Sequence, residues 1–188
     1  MPDLRLCPPP PRDDLLRQLR LRIGALAPGL RLLAEGLLGA GSRIDFVASE
    51  PDGQVVLVLV GEEGDDLALL ARGLAQKAWA EARLRDWLQL APELGIRPEA
   101  GARLWLLSPS FDPQTREAAL ALGAGAPQLV VYRGVQDGAG VETLLEPLQQ
   151  PAAALPQPTP DAPAAGGFRT GLRDADLGLT PEERREFE

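Results

Sequence analysis

Asp45 is the residue whose type and surroundings point first to chemistry. It is the one acidic side chain in a short apolar run, Ile44 to Ala48. Carboxylates are ligands that Mg²⁺ prefers, but such an ion usually takes one or two carboxylates together with waters and phosphate. A single aspartate is therefore a poor site unless other acidic side chains lie beside it.

The composition excludes several other kinds of site. The chain of 188 residues has no histidine and a single cysteine, Cys7. Histidine is the commonest general base and transition-metal ligand, and a lone cysteine forms no internal disulfide and suits a reducing compartment. There is also no phosphate-loop, paired-cysteine zinc, nucleophile-elbow or nicotinamide motif. The formal net charge of −8 disfavours nucleic acid as a partner, because Lys and Arg supply much of the affinity for phosphates.

Two predicted strands and a tight turn position Asp45. Pro51-Asp52-Gly53 has the residues of such a turn, since Pro presets φ and Gly accepts a positive φ. Gln54 to Val60 is then almost unbroken Val and Leu, which predicts a central strand covered on both faces.

The rest of the middle of the chain alternates helical and strand patterns. We predict an amphipathic helix from Asp13 to Leu26, a short helix or strand from Leu30 to Leu38, one long helix from Leu67 to Leu90, a strand from Gly101 to Leu107, a helix from Pro113 to Leu122 capped by Asp112, a strand from Gln128 to Arg133, and a short strand or helix between Val135 and Leu148. Strands joined by long helical crossovers pair in parallel. The predicted fold class is therefore α/β, with a mixed central sheet flanked by helices in the order αββαβαβ.

This order, with the stretch GSRIDFVASEPDGQVVLVLVG at its centre, resembles a bacterial branch of the PD-(D/E)xK nuclease-like, or restriction-endonuclease-like, superfamily. The step Ser108 to Phe111 is also similar to a segment of that branch. The resemblance implies a divalent metal held by the Asp of the first strand and by the Glu of a Glu-x-Lys motif, whose Lys assists the attacking water. Asp45 falls on the family Asp, whereas Val58 and Val60 fall on the Glu and the Lys.

The resemblance therefore implies the fold without its chemistry. We expect a pseudo-nuclease with no cofactor that acts as an interaction or assembly module. The alternative is a divergent Mg²⁺-dependent nuclease, in which other residues replace those that are missing. The candidates are Asp45, Glu35 and Glu62 as metal ligands, and Asp45, Gln76 and Lys77 as catalytic residues.

The two candidate glutamates each have a competing interpretation. Glu35 resembles an acid that joins the family's metal site, but it also suits a surface position. Glu62 shares a face with Val60 if the strand continues, whereas Asp65 and Asp66 after it suit the start of a helix. Gln76 resembles a glutamine of the family's next helix, and Lys77 is the chain's single lysine.

Two groups of side chains leave the choice between nucleic acid and ordinary structure open. Arg17, Arg20 and Arg22 lie outside the apolar stripe of the first helix, where they suit phosphates or solvent. Trp79 and Trp87 lie about two helical turns apart, which favours a core or interface role over a platform for bases.

The two ends of the chain differ from its middle. We predict a Pro-rich, irregular or disordered arm over residues 1–11, the nuclease-like domain over 12–148, a Pro/Ala-rich flexible linker over 149–167 and a C-terminal docking segment over 168–188. Thr180 and Glu183 form a capping box for a short helix from Pro181 to Phe187. The apolar residues expected to contact a partner are Phe168, Leu172, Leu177, Leu179 and Phe187. We expect a protein partner or self-association, no membrane span and a cytoplasmic location.

Overall fold

A computed structural model describes residues 5–137 and 140–148. In chain order these residues form β1 (Arg5–Cys7), α1 (Arg12–Arg22), β2 (Arg31–Leu38), β3 (Arg43–Ser49), β4 (Val55–Val60), α2 (Asp66–Glu81), α3 (Leu84–Leu90), β5 (Ala102–Ser108), α4 (Pro113–Ala121), β6 (Gln128–Asp137) and β7 (Gly140–Pro147). Short 3₁₀ turns lie at Ile23–Ala25, Pro92–Leu94, Pro98–Ala100 and Gly123–Gly125. The predicted class, a mixed α/β sheet flanked by helices, is confirmed.

The strands of the described residues form one seven-stranded sheet. β2, β3 and β4 pair as an antiparallel meander, and β4, β5 and β6 pair in parallel through helical crossovers. The long β6 also pairs antiparallel with β7 and, near its end, with β1. Antiparallel neighbours need only a turn, whereas the parallel pairs require α2, α3 and α4 between them.

β4 lies between two apolar layers, as its unbroken Val and Leu pattern predicts. All six of its residues are buried. Val55, Leu57 and Leu59 pack on the side of α2, and Val56, Val58 and Val60 pack on the side of α1. Burial of each such side chain contributes roughly 1.5 to 3 kcal/mol. This strand therefore anchors the residues at its two ends.

The predicted helix from Leu67 to Leu90 is wrong as a single element. The chain turns at Ala82 and Arg83, where the Arg83 N–H donates to the Ala80 carbonyl over 2.8 Å. A continuous helix of that length would extend about 36 Å, well beyond strands of six or seven residues. The turn instead brings Leu84, which is 1% exposed, back into the core.

The N-terminal arm is partly regular, which corrects the expectation of an irregular segment. Arg5–Cys7 pairs with Gly134–Gln136 of β6. Gly134 permits this approach, because a side chain there would place its Cβ about 2.4 Å from the Pro8 carbonyl oxygen. The two segments for which the sequence left helix or strand undecided are both strands. Residues 31–38 form β2, and residues 140–147 form β7.

Candidate functional site

Asp45 lies at one end of the β3–β4 ladder. It precedes Phe46, which pairs with Val58. It opens onto a cavity of about 700 Å³ between α1 and the sheet. The lining residues are Arg12, Asp13, Leu16, Glu35, Gly36, Ser42, Arg43, Asp45, Phe46, Val60, Gly61, Glu62, Asp65 and Arg72. Three of the predicted site residues, Glu35, Asp45 and Glu62, therefore line one cavity.

Both carboxylate oxygens of Asp45 have donors from the protein. Arg12 Nη2 donates to Oδ1 over 2.8 Å, and the Val60 N–H donates to Oδ2 over 2.7 Å. The same guanidinium donates from Nη1 to the Val60 carbonyl over 3.2 Å. Burial raises the pKa of the Asp45 carboxyl above its ordinary value, although the Val60 N–H and Arg12 act in the opposite direction.

The surroundings of Asp45 do not fit a Mg²⁺ ion. Val58 and Val60, which the nuclease resemblance aligns with a Glu and a Lys, are 0% and 2% exposed and belong to the apolar core. Within residues 5–137 and 140–148, no three His, Cys, Asp or Glu side chains form a group that could hold a metal ion. A hard cation needs several oxygen ligands, and here the one central carboxylate already binds an arginine.

Glu35 and Glu62 line the same cavity as Asp45, but among the described residues neither lies in a group that could share a metal ion with it. Glu35 Oε1 forms an ion pair with Arg20 Nε over 3.0 Å. Glu62 is exposed and follows the end of β4 at Val60, so it lies beyond the strand rather than on it. The structure therefore brings the three predicted metal ligands to one cavity without grouping them around one point.

The start of α2 agrees with the helix interpretation of the acidic run. Asp66 lies in the first turn, and its buried carboxylate accepts the Asp112 N–H over 2.8 Å. Burial alone would raise the pKa of Asp66, but this donor and others lower it below its ordinary value. Asp65 pairs with Arg72 over 3.3 Å.

Gln76 faces the β2–β3 loop rather than the cavity. Its Oε1 accepts the Ala40 N–H over 2.9 Å, and its Nε2 donates to the Ser42 carbonyl and to Ser42 Oγ over 3.1 and 2.6 Å. The side chain is 0% exposed. An amide with these partners holds the loop closed and has no donor left for a substrate.

Lys77 lies at the other end of the sheet from Asp45. Its Nζ is 3.6 Å from Glu81 Oε1, and it lines a separate cavity of about 250 Å³ with Gln54 and Ala102, which stand at the amino ends of β4 and β5. Asp45 contacts Val60, at the carboxyl end of β4. The length of that strand, roughly 17 Å, therefore separates the two residues.

The arginines of α1 are all paired within the chain. Arg17 pairs with Asp14, Arg20 with Glu35 and Arg22 with Glu142, at distances of 2.9, 3.0 and 2.6 Å. Arg12, which the sequence pattern did not single out, makes the least exposed of these contacts, because Asp45 is 11% exposed. The neighbouring sequence shows only that Arg12 begins α1 after Pro11. It does not indicate that Arg12 pairs with Asp45.

Trp79 and Trp87 are half-buried side chains at the α2–α3 corner. Their rings are tilted with centroids 6.0 Å apart, and Arg83 lies 4.6 Å above the Trp79 ring. Both pack against the core on the α2 side of the sheet. This placement agrees with the core or interface interpretation.

Two expectations concern the ends of the chain and the membrane. The apolar residues Phe168, Leu172, Leu177, Leu179 and Phe187, with the short helix predicted around them, lie outside the described residues. Among the helices that are described, none combines the length and the apolar character that crossing a bilayer requires.

Comparisons with known proteins give structural likeness only. No family model matches the chain, and no curated protein matches its sequence. Solved structures that it resembles include a repair endonuclease from Pyrococcus abyssi (13% identity, TM-score 0.44, 61% of this chain and 44% of that chain) and an EndoMS–dsDNA2 complex (13%, 0.37, 63% and 44%). Another is Pyrococcus furiosus SfsA in complex with Ca²⁺ (13%, 0.36, 72% and 62%).

The chain spans less than half the length of the repair endonuclease chain and of the EndoMS chain. At this identity and TM-score, no residue role passes from these proteins to this one. The described helices and strands themselves form the mixed α/β sheet flanked by helices that the sequence predicts.

Proposed function

We propose that this chain is a nuclease-fold domain that does not cleave nucleic acid and serves as an interaction or assembly module. One observation carries the first half of the proposal: both oxygens of Asp45 are engaged by Arg12 and by the Val60 N–H. Metal-dependent hydrolysis needs a cation held by several oxygens beside an open position for water. The surrounding valines supply no oxygen ligand from their side chains.

The charges around the cavity also disfavour a nucleic-acid substrate. Its lining holds five acidic side chains and three arginines. Two of those arginines, Arg12 and Arg72, are paired with acids. Phosphate binding requires basic side chains that can release counterions, so this cavity and a chain of net charge −8 are a poor phosphate surface.

The assembly role is supported by the C-terminal sequence. After a Pro/Ala-rich stretch, residues 168–188 regain apolar side chains and helix-capping signals. Short amphipathic helices on flexible linkers commonly bind a groove of a partner or of a second copy. A segment without such a role has no need of two phenylalanines and three leucines.

Sedimentation of the full chain and of a chain ending at Gly167 tests the assembly role. The matched control keeps the full length but replaces the five apolar residues with serine. We expect the full chain to associate with itself or a co-purified protein, and both altered chains to lose that association. Equal sedimentation of all three would contradict the proposal.

A divergent Mg²⁺-dependent nuclease is the second candidate, because Glu35, Asp45 and Glu62 line one cavity. It predicts cleavage of single- or double-stranded DNA or RNA with Mg²⁺ or Mn²⁺, and loss of cleavage in Asp45→Asn. We expect no cleavage by the wild-type chain. Metal-dependent cleavage that disappears in Asp45→Asn would establish this candidate and overturn the first.

A further inference from the structure

We infer that Arg12 is a built-in cation that occupies the place of a divalent metal at Asp45 and closes the site against metal. The inference rests on the proposed function, since a metal-dependent nuclease would need that position open. It assigns a role to a residue of α1 that lies outside the hairpin on which the nuclease resemblance depends.

Arg12 contacts two oxygens of the types that bind hard cations. Its guanidinium lies between a carboxylate oxygen of Asp45 and the main-chain carbonyl oxygen of Val60, at 2.8 and 3.2 Å. Carboxylate and backbone carbonyl oxygens are two of the ligand types that bind Ca²⁺ and Mg²⁺. The guanidinium is planar, permanently charged and able to donate to both at once.

The start of α1 is held so that Arg12 reaches this position. Arg12 is the first residue of the helix and follows Pro11, whose φ of −50° and ψ of 150° are extended. Before the prolines, Arg5–Cys7 is paired to β6, and after Arg12 the buried Leu15 and Leu19 fix the helix on the sheet. These contacts on both sides position the Arg12 side chain beside Asp45.

Arg17 on the same helix supplies a matched comparison. Its pair with Asp14 joins side chains that are 73% and 48% exposed, whereas Asp45 is 11% exposed. Exposed i,i+3 pairs contribute little because water screens both charges. A carboxylate that is largely buried loses far more when its cation is removed.

A double-mutant cycle of Arg12→Met and Asp45→Ala, measured by chemical denaturation of the full chain, tests the inference. We expect Arg12→Met to raise the unfolding constant about tenfold in the wild-type background and by less than about threefold when Asp45 is already alanine. The control cycle of Arg17→Met and Asp14→Ala should be additive within about twofold. Additive effects in the Arg12 cycle would overturn the inference.

Calorimetric titration with Mn²⁺ separates this inference from the proposed function. Val60 lines the cavity beside Asp45, so Val60→Glu adds a carboxylate there. We expect no binding by wild type, and tighter binding by Arg12→Met/Val60→Glu than by Val60→Glu alone. Equal binding with and without Arg12 would overturn the inference. Binding by wild type that is lost in Asp45→Asn would instead overturn the proposed function. If the Val60→Glu chains lack a cooperative melt, the denaturation cycle decides.

Discussion

Asp45 and Gln76 belong to one site in the nuclease resemblance, yet the structure gives them two different surroundings. Asp45 faces a cavity and binds a charged side chain from α1. Gln76 is 0% exposed and binds four groups of the β2–β3 loop, the Ala40 N–H and carbonyl, the Ser42 carbonyl and Ser42 Oγ. Ser42 binds Gln76 and also lines the cavity, so the surroundings of Gln76 and of Asp45 adjoin but hold different contacts.

The difference follows from what each side chain needs in its surroundings. An amide in a dry interior must satisfy each of its donors and acceptors, and the loop does so for Gln76. A carboxylate beside a cavity needs a cation, and Arg12 provides one. We therefore expect changes at Gln76 to cost mainly stability and changes around Asp45 to alter charge and metal response.

The largest effect is expected for Gln76→Ala. The change leaves the Ala40 N–H without its side-chain acceptor and opens a hole beside a buried helix face. Together these should lower the free energy of unfolding by about 3 kcal/mol. Chemical denaturation measures the loss, and Gln114→Ala on the exposed side of α4 is the control. A loss below about 1 kcal/mol would contradict a structural role for Gln76.

Gly39→Ala should reproduce part of that loss. A Cβ at this position would lie 1.9 Å from Gln76 Oε1, so the amide would have to move out of its hydrogen bonds. We expect a loss of about 1 to 3 kcal/mol in the wild-type background and a smaller loss in Gln76→Ala. Gly24→Ala, where a Cβ would have no neighbour within 4 Å, is the control. An equal loss of unfolding free energy in both backgrounds would show that Gly39 and Gln76 are not coupled.

The pH dependence of stability should have opposite signs at Asp45 and Asp66. Burial raises the folded-state pKa of Asp45 above its ordinary value of 3.8, so its contribution is complete below that value and is lost as pH rises through the folded pKa. Hydrogen bonds lower the pKa of Asp66 despite its burial, so its contribution is present above 3.8 and is lost as pH falls through the folded pKa.

Denaturation of wild type, Asp45→Asn and Asp66→Asn across acidic pH checks both signs. Relative to wild type, Asp45→Asn should gain stability as pH rises above 3.8. Asp66→Asn should gain relative to wild type as pH falls below 3.8. Parallel curves for wild type and Asp45→Asn would show that burial does not govern the Asp45 carboxyl.

The smallest effect is expected for Lys77→Gln. Its ion pair with Glu81 joins partly exposed side chains one helical turn apart, at 3.6 Å. Such a pair contributes less than about 0.5 kcal/mol. Denaturation and the Mn²⁺ titration should both match wild type. A change in Mn²⁺ binding would show that Lys77 influences Asp45, and would contradict the functional separation of the two residues.

Local patterns predicted the elements nearest the site. The turn after Ser49 has Gly53 at a φ of +87°, as Pro51-Asp52-Gly53 indicates, and the Asp112 carboxylate accepts the Thr115 N–H over 2.7 Å as the predicted helix cap. Each feature involves residues within three or four positions, whose preferred dihedrals and hydrogen bonds are set by their own types. The break at Ala82 had no comparable signal, because core packing of Leu84 rather than a proline or glycine produces it.

The sequence by itself determined that β4 is central and that a single acid lies in the neighbouring strand, and the resemblance aligns valines with the Glu and Lys of a nuclease. Only the tertiary structure decided what that acid binds. Arg12 and Asp45 are 33 residues apart, and an ion pair at that separation depends on how α1 lies across the sheet. Apolar burial of Leu15 and Leu19 sets that position. Because apolar burial is not directional, no sequence motif predicts the Arg12–Asp45 ion pair.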